Sequence, residues 1–107
     1  MEFKYLKIVV FVPANHAEAV RKAMKEGGCG HIGNYDACSF SNKGIGRFRP
    51  LEGSSPFLGE VGNIEEVEEE RIETICPFEN REDVIEKIKK AHPYEEPAID
   101  IYPLLNS

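Results

Sequence analysis

Three groups of residues in this chain have the types and spacing that chemistry needs. The first is rich in glycine. Gly44, Gly46, Gly53, Gly59 and Gly62 fall close together, with Arg47 and Arg49 among them. Glycines expose backbone N–H groups, and two guanidinium groups add positive charge, so the stretch suits an anionic ligand such as a phosphate. It is neither G-x-x-x-x-G-K-[ST] nor a dinucleotide fingerprint, because no helix is expected after it. Its plainer role is a turn-rich excursion whose Phe48, Leu51, Phe57 and Leu58 pack back on the fold. A loop this long in a small domain often carries function, which makes Gly44, Gly46, Arg47 and Arg49 candidate ligand-binding residues.

The second group is made of metal-ligand types: His31, Asp36, Cys38, Cys76, His92 and Glu95. No pair has the spacing of a helical H-x-x-x-H or a zinc knuckle. Cys38 and Cys76 are expected on strands as small buried thiols. Cys29, between two glycines, is expected to be accessible. His92, before Pro93, suits a helix end where the dipole favours a cation. His31 and His92 are the two candidate ligands for a divalent ion, and no other cofactor is expected. The third group is Tyr94-Glu95-Glu96. Neighbouring residues of an extended chain point in different directions, so these carboxylates do not form an acid–base pair. No Ser or Cys nucleophile comes with a base motif. Tyr94 and Glu95 join the candidate ligand-binding residues, and a non-enzymatic role is expected.

The elements that must position these groups follow from the pattern of the chain. Residues 3–12 alternate as a strand, with Leu6, Ile8, Val10 and Val12 on one face and Lys7, Val9 and Phe11 on the other. Pro13 stops it. Asn15 is placed to cap a helix, with Glu18 as its capping-box partner. Ala17, Val20, Ala23 and Met24 form the apolar stripe, Glu18 and Lys22 pair on the wet side, and Gly27-Gly28 end the helix. Residues 35–41 are a second strand candidate, 42–64 a long glycine-rich loop, and 67–76 a third strand, strongest from Ile72 onwards. The acidic run from Glu65 to Glu73 reads as the wet face and tip of a hairpin. Asn80 is a second cap, with Asp83 three residues on. Val84, Ile85, Ile88 and Ala91 form the second stripe, and residues 98–104 the last strand.

The order is βαββαβ, the split βαβ or ferredoxin-like plan of α+β proteins: an antiparallel four-stranded sheet with two helices on one face. One domain over residues 1–107 is expected from the length and the 41% hydrophobic content. The other sheet face, with Tyr5, Lys7, Val9 and Phe11 or their alternates, is left to solvent or to a partner, a hint of oligomerisation. The net charge of −6 argues against a nucleic-acid partner. No apolar run approaches the ~20 residues of a membrane helix. Residues 1–5 show no signal pattern and lead directly into a strand. Three cysteines without C-x-x-C fit reduced thiols. A soluble, cytoplasmic protein is expected.

Three longer motifs are more specific. Gly30-His31-Ile32-Gly33-Asn34-Tyr35-Asp36-Ala37-Cys38-Ser39-Phe40 fits G-x-I-G-N-Y-x-x-C-S-F. Gly44-Ile45-Gly46-Arg47-Phe48-Arg49-Pro50-Leu51-Glu52-Gly53, with Pro56 and Gly59, fits G-x-G-x-F-x-P-x-x-G-x-x-P-x-x-G. Ala91-His92-Pro93-Tyr94-Glu95-Glu96-Pro97-Ala98, with Asp100, Tyr102, Pro103 and Leu104, fits A-H-P-Y-E-E-P-A-x-D-x-Y-P-L. Together they resemble the YqfO-type, or "NGG-one interacting factor three"-like, family. Many of its members are longer and carry this unit as an insert in a dinuclear-metal domain; short chains with only the insert also exist. The unit is similar in fold to CutA and the PII signal proteins.

The resemblance implies a small oligomer, a trimer by analogy, and not a complete enzyme. The longer proteins take their metal ligands from flanking segments that this sequence does not contain. In PII-type proteins the long loop at this place touches ligands and partners. The expected function is therefore a regulatory-type module binding a small molecule or a protein at clefts near residues 44–62 and 92–96. The alternative is a metal-binding protein, or an accessory of a dinuclear-metal hydrolase.

Overall fold

The computed structural model describes residues 3–105. Met1 and Glu2, read above as leading into the first strand, lie outside the described residues. Strand β1 (Tyr5–Pro13) is followed by a 3-10 turn (Ala14–His16) and helix α1 (Ala17–Glu26). Strands β2 (Phe40–Phe48) and β3 (Glu65–Pro77) come next, then a second 3-10 turn (Phe78–Asn80), helix α2 (Arg81–Ala91) and strand β4 (Ala98–Pro103). The sheet is antiparallel in the order β2-β3-β1-β4. This is the expected α+β ferredoxin-like fold.

The core forms where the two periodicities meet. Ile8, Val10 and Val12 of β1, with Ile72 and Cys76 of β3, turn one face towards both helices. Ala17, Val20, Ala23 and Met24 of α1 and Val84 and Ile88 of α2 close over them. Each fully buried Val or Ile contributes about 1.5–3 kcal/mol, so this small set is the main source of stability. The helices meet tightly where α1 ends: a Cβ on Gly27 would lie 2.6 Å from Val84 Cγ2. Gly28 then takes the left-handed conformation at φ 92°.

Several local expectations are corrected. The second strand is not residues 35–41. Residues 30–39 form a folded turn, with Gly30 N–H donating to Ile75 O at 2.7 Å and Cys38 N–H donating to Gly30 O at 3.0 Å. Gly33 and Ala37 have positive φ, which breaks the extended alternation. The glycine-rich stretch is not wholly a loop, because its first part is β2. Its backbone pairs with β3 from Phe40↔Glu73 to Phe48↔Glu65, and that ladder overrides the poor strand propensity of glycine. The irregular segment is 49–64.

The capping expectations also fail. Each 3-10 turn enters its helix with no side-chain cap bond. The Asn15 amide oxygen instead pairs with the His16 ring at 2.9 Å, and Asn80 Nδ2 donates to Gly27 O at 3.2 Å. Glu18 pairs with Arg21 rather than Lys22. The acidic run is not one wet face, since strand alternation divides it. Glu70 pairs with Arg21 at 2.8 Å and Glu73 with Arg71 at 3.3 Å, while Glu69 is buried.

Candidate functional site

Strand β3 runs past the end of β1. Pro13 pairs with Glu69, and Glu65 to Glu68 continue with β2 as their neighbour. This projecting hairpin carries segment 49–64 back over the sheet face opposite the helices. Ser55 N–H donates to Glu95 Oε2 at 3.0 Å, which ties the segment to the turn before β4. The ring of Phe57 meets His16 edge-on at 5.6 Å and Tyr94 at 6.5 Å, and Phe48 meets Tyr94 at 5.5 Å. A cavity of about 380 Å³ remains beneath, walled by Phe11, Phe48, Phe57, Glu69, Tyr94 and Glu95. The chain's own loop thus covers part of the sheet face expected to need a partner. Val9, on the same face, is fully buried.

His92 fixes the turn. Its Nδ1 accepts the Tyr94 backbone N–H at 3.1 Å, so its Nε2 carries the proton donated to Phe11 O at 2.7 Å. Burial holds its pKa below the ordinary histidine value. The expectation of a cationic His92 on the helix dipole is corrected: the backbone N–H caps Ile88 O, and the ring is a neutral brace. Tyr94 OH donates to Glu69 Oε2 at 2.9 Å. Burial and then that carboxylate push the phenol pKa upward. Glu69 is only 8% exposed, and among the described residues no basic side chain lies within ion-pair distance of it. Its carboxylate rests against Gly46, where a Cβ would overlap it.

Of the ligand-binding candidates, Gly46, Arg47, Tyr94 and Glu95 line the cavity. Gly44 faces Glu69 in the strand register and Arg49 follows β2, and neither is on the wall. Arg47 is 62% exposed and leans towards Glu66 at 3.9 Å. The sequence reading placed Tyr94 at the site and Phe48 and Phe57 packed back on the fold, but missed Glu69 and the convergence of the three rings. The usable signal was alternation, which places Glu69 on the face of Val9 and Phe11.

The histidines proposed as metal ligands lie at opposite ends of the sheet. His31 is exposed in the turn beside Ile75, whereas His92 adjoins Phe11. Among the described residues no three His, Cys, Asp or Glu side chains converge on one point. Both His92 nitrogens are engaged in hydrogen bonds, whereas the His31 side chain is exposed. Cys29 is buried, not accessible. It lies against the Cys76 thiol, and that contact together with burial pushes its pKa upward. Cys38 is half-buried in the turn rather than on a strand.

No family model matches the chain. It is 52% identical over 100 residues to the GTP cyclohydrolase 1 type 2 homolog of Halalkalibacterium halodurans, covering 94% of this chain and 27% of that protein. The Bacillus subtilis protein of the same name is 51% identical over 98 residues, covering 92% and 26%. The crystal structure of a Bacillus cereus protein related to NIF3 superposes with a TM-score of 0.84 at 52% identity, over 97% of this chain and 26% of that one. The chain is homologous to one segment of the YqfO-type family. The chain spans about a quarter of the length of the curated relatives it matches. Its fold is shared with the periplasmic divalent cation tolerance protein CutA from Archaeoglobus fulgidus, at TM-score 0.70 and 21% identity over 96% of the segment and 86% of CutA. Among the described residues no helix is long and apolar enough to cross a membrane.

Proposed function

We propose that this chain is a non-enzymatic binding module that takes a small molecule in the cavity between segment 49–64 and residues 92–96. The observation that carries the reading is the cavity of about 380 Å³, in which three aromatic rings converge with a few polar groups. Small-molecule sites commonly have about 300–1,000 Å³ and that kind of lining. Gly46, Arg47, Tyr94 and Glu95 are its contributors from the motifs, and Glu69 is its buried polar anchor. The carboxylates there are occupied in structural bonds, Glu69 with Tyr94 and Glu95 with Ser55, which favours binding over acid–base work.

The module works as a homo-oligomer in the cytoplasm, a trimer by its likeness to CutA- and PII-type proteins. Two features support assembly. The edge strands β2 and β4 are open, and Phe40 and Tyr102 are exposed on the sheet face opposite the helices. The free thiols suit a reducing compartment. A second reading, an accessory of a dinuclear-metal hydrolase, is favoured by the match to a quarter of longer relatives. In that reading, exposed His31 is the freer of the two candidate metal ligands.

Native mass spectrometry of the untreated protein tests the main reading. A trimer mass with a bound small molecule is expected. A bare monomer whose Tyr94 ring resonances respond to no small-molecule probe overturns it. Stoichiometric metal by elemental analysis would favour the second.

A further inference from the structure

We infer that the cavity takes a small organic cation, an amine or alkylated ammonium with apolar substituents, and that Glu69 is its counter-ion. The inference rests on the reading that this cavity binds a small molecule, and it adds the chemical class.

Charge is the first argument. A carboxylate withdrawn from water is unfavourable unless a cation or several donors face it. Glu69 is 8% exposed, receives one hydrogen bond from Tyr94, and has no basic partner among the described residues. The wall also carries Glu95 and Glu96, so three carboxylates stand against Arg47 alone. Arg47 is largely in solvent and turned towards Glu66. The field inside is negative and attracts cations, contrary to the anionic ligand expected from the two arginines.

Shape is the second argument. Phe48 and Phe57 flank the Tyr94 ring at 5.5 and 6.5 Å, so rings surround the space beside the carboxylate. Ring faces attract ammonium groups, most strongly when these are desolvated and carry methyl or methylene groups. Gly46 completes the arrangement, because a side chain there would displace the Glu69 carboxylate. An inorganic ion has no use for the aromatic walls, and an apolar neutral molecule leaves Glu69 uncompensated.

Titration by NMR with tetramethylammonium, benzylammonium, benzoate and inorganic phosphate tests this. Both ammonium ions are expected to shift the Tyr94, Phe48 and Phe57 ring resonances saturably, and the two anions are not. Glu69→Gln, which keeps an acceptor for Tyr94, is expected to weaken ammonium binding at least tenfold. Phe57→Ala, at a 51% exposed position that leaves the core intact, is expected to weaken it severalfold. Anions shifting these resonances while ammonium ions do not would overturn the cation assignment and leave the binding reading standing. Silence from all four probes would overturn both. Ammonium binding unchanged in both variants would remove Glu69 and the ring cluster as the site.

Discussion

His92 joins three separate parts of the chain: the end of α2 through its backbone N–H, β1 through Phe11 O, and the site turn through Tyr94 N–H. Its neutral form is the one that folds. Because its folded pKa lies below the ordinary 6.5, the unfolded chain takes up the proton first as pH falls. The stability it contributes is complete above about pH 6.5 and is lost as pH drops towards the lower folded value. Urea midpoints measured between pH 7.5 and 5 should fall for the wild type. His92→Gln should flatten that slope while lowering stability at pH 7.5 by about 1–3 kcal/mol, through the unpaired Phe11 carbonyl and Tyr94 amide. A parallel slope in both proteins would assign the effect to another group. Tyr94 and Glu95 were legible from their motif. Glu69 was not, because it sits among like residues and only its pairing across the sheet distinguishes it.

The joint between α1 and α2 depends on Gly27. Its φ of −77° is ordinary for any residue, so the obstacle to a side chain is steric: Val84, whose Cα lies 2.9 Å from a built Cβ. Gly27→Ala is expected to destabilise by about 1–3 kcal/mol through overpacking, read as a lower melting temperature by circular dichroism. Gly46→Ala acts differently. It displaces the Glu69 carboxylate in the projecting hairpin and leaves the helix-covered core alone. It should shift the Tyr94 ring signals and weaken cation binding, with a smaller thermal change than Gly27→Ala. The helices and β1 were readable because their apolar periods match what they bury. Strand β2 was not, since its glycines carry no period and its pairing is dictated by β3. The caps failed because both helices are entered through 3-10 turns, which moves Asn15 and Asn80 out of capping geometry.

Over the whole molecule, the helix-covered face of the sheet is closed by the two helices, and one end of the other face by the chain's own loop. What stays open on that second face is mixed. Lys7, Arg71, Glu73 and Asp100 lie among Phe40, Ile75 and Tyr102, and Arg71 Nε is buried without a partner. If assembly accompanies folding, the melting temperature must rise with protein concentration. A hundredfold dilution is expected to lower it by several degrees, and light scattering should show any assembly dissociating in parallel. A melting temperature independent of concentration, with monomer throughout, would contradict assembly.

The Ser55–Glu95 bond has a further meaning. It joins positions far apart in sequence beside the cavity that Ser54 and Glu95 help to line, and it lies at the surface. Segment 49–64 is therefore latched rather than buried. Glu95→Ala should unlatch it, and a glutamate-specific protease should then cut at Glu52 or Glu60 severalfold faster, while the helix-covered core stays intact. An occupant gripping both Phe57 and Tyr94 would relock the same flap from inside, so cleavage rate becomes a gauge of occupancy that needs no knowledge of the guest.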